Sequence, residues 1–316
     1  MPLSLEQFAE SLTGRKDLHW PAAPELEPIR AKPHLKKLAN IRAVVWNVYG
    51  TLLNISGGIL LLQHPNDFVM EVALEKTIHE FKMWKAMTRK PGNPAHYMRL
   101  MLQNVIDELK FTSIKGEKYP ELATDQIWLQ ILKKLMQNEY TYIVSQMGSL
   151  QEYAEKIAYF YHASLQGTAA YPGAARTLHA VHEQLGWQGL LADGQCCTWV
   201  QLKRQLAEQE PTMDFDMFLP ADRHVLSYKL LGKKPSERLL RAMLTKLSDR
   251  GIEPEQTLHV GSSIDRDLLP AKKFGMRTAL FAGDKNSIQA TNEQLKNPDT
   301  RPDVMLTQLD QITEVI

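Results

Sequence analysis

Four short segments of this chain place polar or charged side chains directly beside apolar runs and turn residues. The first is Val45-Trp46-Asn47-Val48-Tyr49-Gly50-Thr51-Leu52 and the second is Leu191-Ala192-Asp193-Gly194. The third is Gly232-Lys233-Lys234-Pro235, and the fourth is Val260-Gly261-Ser262-Ser263-Ile264-Asp265-Arg266-Asp267. Lys234 has the chemistry to hold an anion and equally to pair with Asp267, and the two roles are compatible. Asp265 and Asp267 suit the start of a helix, where carboxylates meet free N–H groups. Asn47 offers a neutral amide oxygen with a delocalised lone pair. It cannot form the covalent intermediate that a carboxylate forms, and it suits hydrogen bonds to nearby backbone. Asp193 carries a nucleophilic oxygen but follows a different strand. His259 lies within an apolar run and reads as a packed core histidine. Cys196 and Cys197 precede an expected helix start, where a thiolate would be stabilised; inert packing is the commoner fate of such residues. No His/Cys pair has zinc-site spacing, and no Walker-type loop is present.

The elements that position these groups follow from periodicity. Ala43-Val44-Val45-Trp46 reads as a buried strand running into the Asn47–Thr51 loop. Leu74, Ile78, Phe81 and Trp84 recur at helical spacing, as do Trp128, Ile131, Leu132 and Leu135, and then Leu150, Tyr153, Ile157 and Tyr161. Pro91, Pro94, Gly116 and Pro120 break this stretch. Residues 55–168 are therefore expected to form an all-helical insertion of about four helices, its Met and aromatic stripes being core. After Tyr171-Pro172-Gly173 the pattern alternates. Leu178, Val181, His182 and Leu185 mark a helix, Gly189–Ala192 a strand, and Cys197–Glu208 a helix. Phe215–Leu219 is a further candidate strand, and Leu240, Met243, Leu244 and Leu247 mark a helix. Leu258–Val260 is a strand followed by a helix over Ala271–Phe274, with strands again at Thr278–Phe281 and Val304–Leu306. Such alternation implies a parallel sheet with helices on both faces, whose ligands bind at the carboxyl ends of the strands. The residues after Trp46, Leu191 and Val260 are then the ones that matter.

The whole chain bounds the possibilities. Its 316 residues carry 37 Lys and Arg against 36 Asp and Glu, a formal net charge of +1. That balance gives no support to bulk attraction for nucleic acid or membrane. Two adjacent cysteines are no disulfide framework and fit a reducing compartment, so a cytoplasmic location is expected. No segment approaches the roughly 20 apolar residues of a membrane helix, and Met1–Gly14 lacks the pattern of a signal peptide, reading as a short surface helix. Residues 1–40 form an extension in which Pro21, Pro24, Pro28 and Pro33 argue against a long helix. Its basic cluster, Arg30, Lys32, His34, Lys36 and Lys37, reads as solvated surface.

The four segments, in this order and with Tyr171-Pro172-Gly173 after the helical stretch, resemble the haloacid dehalogenase superfamily. The resemblance covers residues 41 to about 310. It implies an α/β fold: a Rossmann-like three-layer core with a parallel sheet, built from 41–54 and 169–316, and a mobile all-α cap domain, 55–168, inserted after the first motif. It also assigns positions. Asn47 stands where family phosphatases carry the nucleophilic Asp, and Tyr49 where they carry the general acid/base. Ala192 replaces a Ser or Thr, Lys234 matches the family Lys, Ser262 replaces a Mg²⁺-binding Asp, and Asp267 matches a later one. Metal-free 2-haloacid dehalogenases are similar at Tyr49–Leu52 and at Ser262, Ser263 and Asp267. They too need the Asp nucleophile, and they carry Asn at the position of Ile264.

These departures set the functional expectation. The chain reads as a degenerate homologue that lacks aspartyl chemistry and acts as a ligand-binding or interaction protein. Asn47, Tyr49, Lys234 and Asp267 occupy the catalytic positions, and Thr51, Ala192, Asp193, Ser262 and Ser263 the ligand-binding ones. Mg²⁺ is expected in active phosphatase relatives, but most of its ligands are missing, so no metal or cofactor is assigned. A small anion held by Lys234 and strand-end N–H groups is the expected ligand, with a protein partner also possible. The alternative is a hydrolase of altered chemistry on a small anionic substrate, with water as direct nucleophile and Tyr49 and Asp267 assisting. A ligand site predicts a preformed pocket lined by Asn47, Thr51, Lys234 and Asp267. A structural role predicts that Tyr49 fills that space.

Overall fold

The computed structural model describes residues 1–87, 92–111 and 116–316. Pro91, expected as a helix breaker, lies outside them. Among the described residues there are eight strands: β1 (Ala43–Trp46), β2 (Leu53–Asn54), β3 (Ala169–Ala170), β4 (Gln188–Ala192), β5 (His224–Leu226), β6 (Thr257–Gly261), β7 (Arg277–Phe281) and β8 (Val304–Leu306). Six form one sheet in the order β5-β4-β1-β6-β7-β8, every neighbouring pair parallel. The apolar runs explain this: strands covered on both faces need no alternation, and β1, β4 and β6 are buried along their whole length. β1 lies between β4 and β6, so the chain order reverses there, and crevices form at such a switch point. β2 and β3 pair antiparallel as a separate two-stranded ribbon.

The chain divides into two compact units. One comprises Ala23–Leu60, Thr168–Gly194 and Gln201–Ile316 and holds the parallel sheet. Behind β4 and β5, Val45, Leu191 and Val225 pack with Leu239, Leu240, Met243 and Leu247 of the helix Glu237–Ser248. The other unit comprises Met1–Ala22, Leu61–Gly167 and Gln195–Val200. Its long helices are Asp67–Glu80, Pro94–Phe111, Thr124–Met136 and Leu150–Leu165, packed around a core that includes Trp128, Ile131, Ile157 and Phe160. The extension is thus shared: residues 1–22 fold with the helices and 23–40 with the sheet.

One expectation is corrected. Phe215–Leu219 is not a strand. Phe215–Phe218 is a short helix whose N-cap Asp214 accepts from Asp216 N, and the edge strand is the more polar β5 instead. Aspartate competes for local backbone donors, which favours a helix start over a ladder. The N-terminal helix, Leu5–Ser11, is capped by Ser4 and Gln7 and is the short amphipathic surface helix expected: Glu6, Gln7, Glu10 and Ser11 are exposed, while Phe8 and Ala9 pack into the helical core.

Candidate functional site

The carboxyl ends of β1, β4 and β6 bring most of the sequence-nominated groups together. Asn47 follows β1, and its N–H continues the ladder to Val260 O at 2.8 Å. Its side chain is used at both ends. Oδ1 accepts from Lys234 Nζ at 2.8 Å, while Nδ2 donates to Tyr49 O at 3.0 Å and to Asp267 Oδ2 at 3.4 Å. Lys234 Nζ also donates to Asp267 Oδ1 and, at 3.4 Å, to Leu191 O. All three ammonium donors therefore have acceptors. Asp267 Oδ2 further accepts from the N–H groups of Ser262 and Ser263 at 3.1 and 3.0 Å. Lys234 is 5% exposed and Asp267 2%, so this is a buried pair with its remaining valences filled.

The electrostatics follow. Burial alone would push the Asp267 carboxyl up; Lys234, by charge and hydrogen bond, outweighs it and holds the group below the usual carboxylate range. Asp193 behaves oppositely. Its Oδ1 accepts from Lys234 N–H at 2.7 Å, yet burial dominates and pushes it up. It braces the Lys234 loop. His259 is fully buried, its Nδ1–H donates to Val45 O at 3.1 Å, and it is pushed down to about 4 by burial and then by Lys234. It is a neutral core histidine, as its apolar run implies.

Tyr49 is buried, and its hydroxyl donates to Gln201 Oε1 at 2.6 Å. Thr51 is fully buried and its Oγ1 has no hydrogen-bond partner. Ala192 closes β4 with its methyl buried. Ser263 acts as the N-cap of the wide helical turn Ile264–Leu268, its Oγ accepting from Arg266 N. Asp265 and Asp267 stand in the first turn, as expected of carboxylates at a helix start, but the cap is Ser263 rather than either of them. Asp265 is exposed and accepts from Gln294 Nε2, and Asp267 reaches back to the amides preceding the turn. Cys196 takes the commoner of its two expected fates, inert packing. Its thiol is pushed up by its contact with Cys197 and by burial, the reverse of a stabilised thiolate.

Sequence reasoning missed two glycines and one glutamine. A Cβ on Gly261 would sit 2.5 Å from Asp267 Cβ, so glycine there lets the carboxylate close onto the strand end. Gly50 has φ +78°, and a Cβ there would meet Ser262 Oγ at 2.7 Å. Both stand beside named motif residues, which is the signal that could have found them. Gln201 is distant in sequence from Tyr49 and carries no such signal.

Comparison with known proteins places this geometry. Residues 232–312, which include Lys234 and Asp267, match the HAD-hydrolase-like family model. The structure superposes on 2-haloacid dehalogenase from Pseudomonas syringae pv. Tomato DC3000 with a TM-score of 0.52 at 16% identity, covering 87% of this chain and 97% of that one. The sheet domain has the haloacid dehalogenase fold. Lower-scoring matches include the putative HAD-hydrolase YfnB from Bacillus subtilis (TM-score 0.41, 13% identity, 88% and 97% covered) and a HAD phosphatase from Thermococcus onnurineus (0.44, 16%, 86% and 96%). No curated protein matches the chain by sequence.

The Mg²⁺ of phosphatase relatives does not fit these residues. Among the described residues no group of three or more His, Cys, Asp or Glu could hold a metal ion. Asp267 already receives Lys234, Asn47 and two backbone N–H groups, and Asp193 is committed to the Lys234 N–H. No described helix is long and apolar enough to cross a membrane.

Proposed function

We propose that this HAD-like chain has lost aspartyl-nucleophile chemistry and serves as a binding or interaction protein. The observation that carries the reading is the double use of the Asn47 amide. Its oxygen faces the Lys234 ammonium and its nitrogen faces Asp267 and the Tyr49 carbonyl. A carboxylate in the same place would turn one oxygen toward two other oxygens without a proton between them. The retained residues then hold three strand ends together: Asn47 on β1, Asp193 and Leu191 on β4, Ser262 and Ser263 on β6. The buried Tyr49 ring agrees with the structural alternative for this space rather than with an acid/base poised toward substrate. A small anion at this centre would have to compete with Asp267 for Lys234.

Hydrolysis of p-nitrophenyl phosphate and 2-chloropropionate, with and without Mg²⁺, tests the reading. Native protein is compared with Lys234→Ala, and circular dichroism checks that the variant is folded. The proposal expects the two to be indistinguishable from buffer. Turnover by the native protein that Lys234→Ala removes would overturn it and favour a hydrolase that bypasses Asn47.

A further inference from the structure

The amino ends of the same strands carry a different kind of site. An open cleft of about 530 Å³ lies there, lined by Arg42 just before β1, Trp187 just before β4, Arg223 just before β5, and Arg250 after the helix Glu237–Ser248, with Leu185 and Ile252 as apolar walls. No acidic residue lines it. Arg42 Nη1 donates to Gly251 O at 2.6 Å and to Gln256 Oε1 at 3.4 Å, and Arg223 Nη1 donates to Gly186 O at 3.2 Å, which leaves most of the five N–H donors of each guanidinium uncommitted. Arg223 also lies over the Trp187 ring, 5.4 Å from its centroid.

Two observations indicate that this arrangement is incomplete by itself. Arg223 Nε is buried and has no acceptor. A buried donor left unpaired costs about 1–3 kcal/mol, and native structures rarely tolerate one without a reason. Burial also pushes the Arg223 guanidinium down, and Arg250 adds like-charge repulsion that the nearby Asp222 opposes. Arg250 itself forms no ion pair among the described residues. Three guanidiniums thus converge on one cleft with no carboxylate in its lining. Guanidinium forks match the planar, bidentate geometry of phosphate oxygens, and they are less costly to desolvate than ammonium groups.

We propose that this cleft is a second ligand site, which takes a small phosphate-bearing anion between Arg42, Arg223 and Arg250. The apolar walls suit an organic substituent on that phosphate. The site is independent of Asn47. It lies at the opposite end of β1, roughly 15 Å away at about 3.3 Å per residue.

Isothermal titration of the full-length protein with pyrophosphate tests this. The variants are Arg250→Ala and Arg250→Glu, neither of which removes a hydrogen bond within the fold. Arg301→Ala, at a separate basic cleft beside β8, is the control for non-specific charge. One saturable equivalent is expected. Arg250→Ala should weaken it at least about tenfold, as loss of a charge-assisted hydrogen bond does. Arg250→Glu should abolish it, and Arg301→Ala should leave it unchanged. Three results would overturn the proposal: no saturable binding to about 10 mM, a change of less than about threefold in Arg250→Glu, or an equal loss in Arg301→Ala.

Discussion

The two ends of strand β1 solve opposite problems with charge. At the carboxyl end, Lys234 and Asp267 are buried and every donor on the ammonium has an acceptor. At the amino end, three guanidiniums share an open cleft and one buried Nε has no partner. Parallel α/β sheets bind ligands at the carboxyl ends of their strands, and there the Lys234 and Asp267 charges of this chain are spent on one another. Buried atoms without a partner remain at the carboxyl end too, Thr51 Oγ1, His259 Nε2 and Arg266 Nε among them, but the amino end gathers cationic groups without a counter-charge in the cleft lining. Position in a fold says where to look, and the accounting of donors and charges says what is still available there.

The comparison can be broken at the carboxyl end first. Lys234→Ala strips the counter-charge from a buried carboxylate and should destabilise the protein by about 3–5 kcal/mol, read as a lowered urea midpoint. A loss below about 1 kcal/mol would mean that the pair is solvated and the centre open.

Acid probes the same centre through His259. Its folded value is pushed down to about 4, while the unfolded chain titrates near 6.5. As the pH falls below 6.5 the unfolded state takes up the proton first. Stability is therefore full above 6.5 and declines toward 4. By pH 5 this amounts to about 2 kcal/mol for one histidine. Unfolding at pH 7 and pH 5 should show that much less pH dependence in His259→Gln than in the native protein.

Asn47→Asp sharpens the contrast. The new carboxyl loses the donors to Tyr49 O and Asp267 and brings like charge toward Asp267. A loss of about 1–2 kcal/mol is expected at neutral pH, shrinking in acid as the new group protonates. A stabilised variant would indicate that a carboxylate suits this environment after all. The smallest effect belongs to the amino end. Arg250→Ala should change stability by no more than about 0.5 kcal/mol, because an exposed side chain with a like-charged neighbour contributes little. A clear destabilisation there would show that the arginines are structural.

Much of this was legible in the sequence because short apolar runs with turn residues behind them have few alternatives. Ala43–Trp46, Gly189–Ala192 and Leu258–Val260 fall within or on strands of the sheet. The convergence of Asn47, Lys234 and Asp267 was legible as a set of strand-end residues, and the compatible pairing of Lys234 with Asp267 is the one observed. The edge strand β5 was not legible. Three residues starting with a histidine carry too little periodicity, and the apolar Phe215–Leu219 nearby mimics a strand better. The inert packing expected of Cys196 and Cys197 was legible because an adjacent thiol and an apolar setting both hold the Cys196 thiol protonated. The arginine cleft left no trace, since Arg42, Arg223 and Arg250 are scattered singly and only the parallel register of the sheet gathers them at one end.

The most direct test of the central claim is product release from p-nitrophenyl phosphate and 2-chloropropionate by native protein beside Asn47→Ala. If the carboxyl-end centre is a closed structural network, neither protein releases product above buffer, with or without Mg²⁺. Native turnover that Asn47→Ala abolishes while remaining folded would contradict the account and make Asn47 a participant in catalysis.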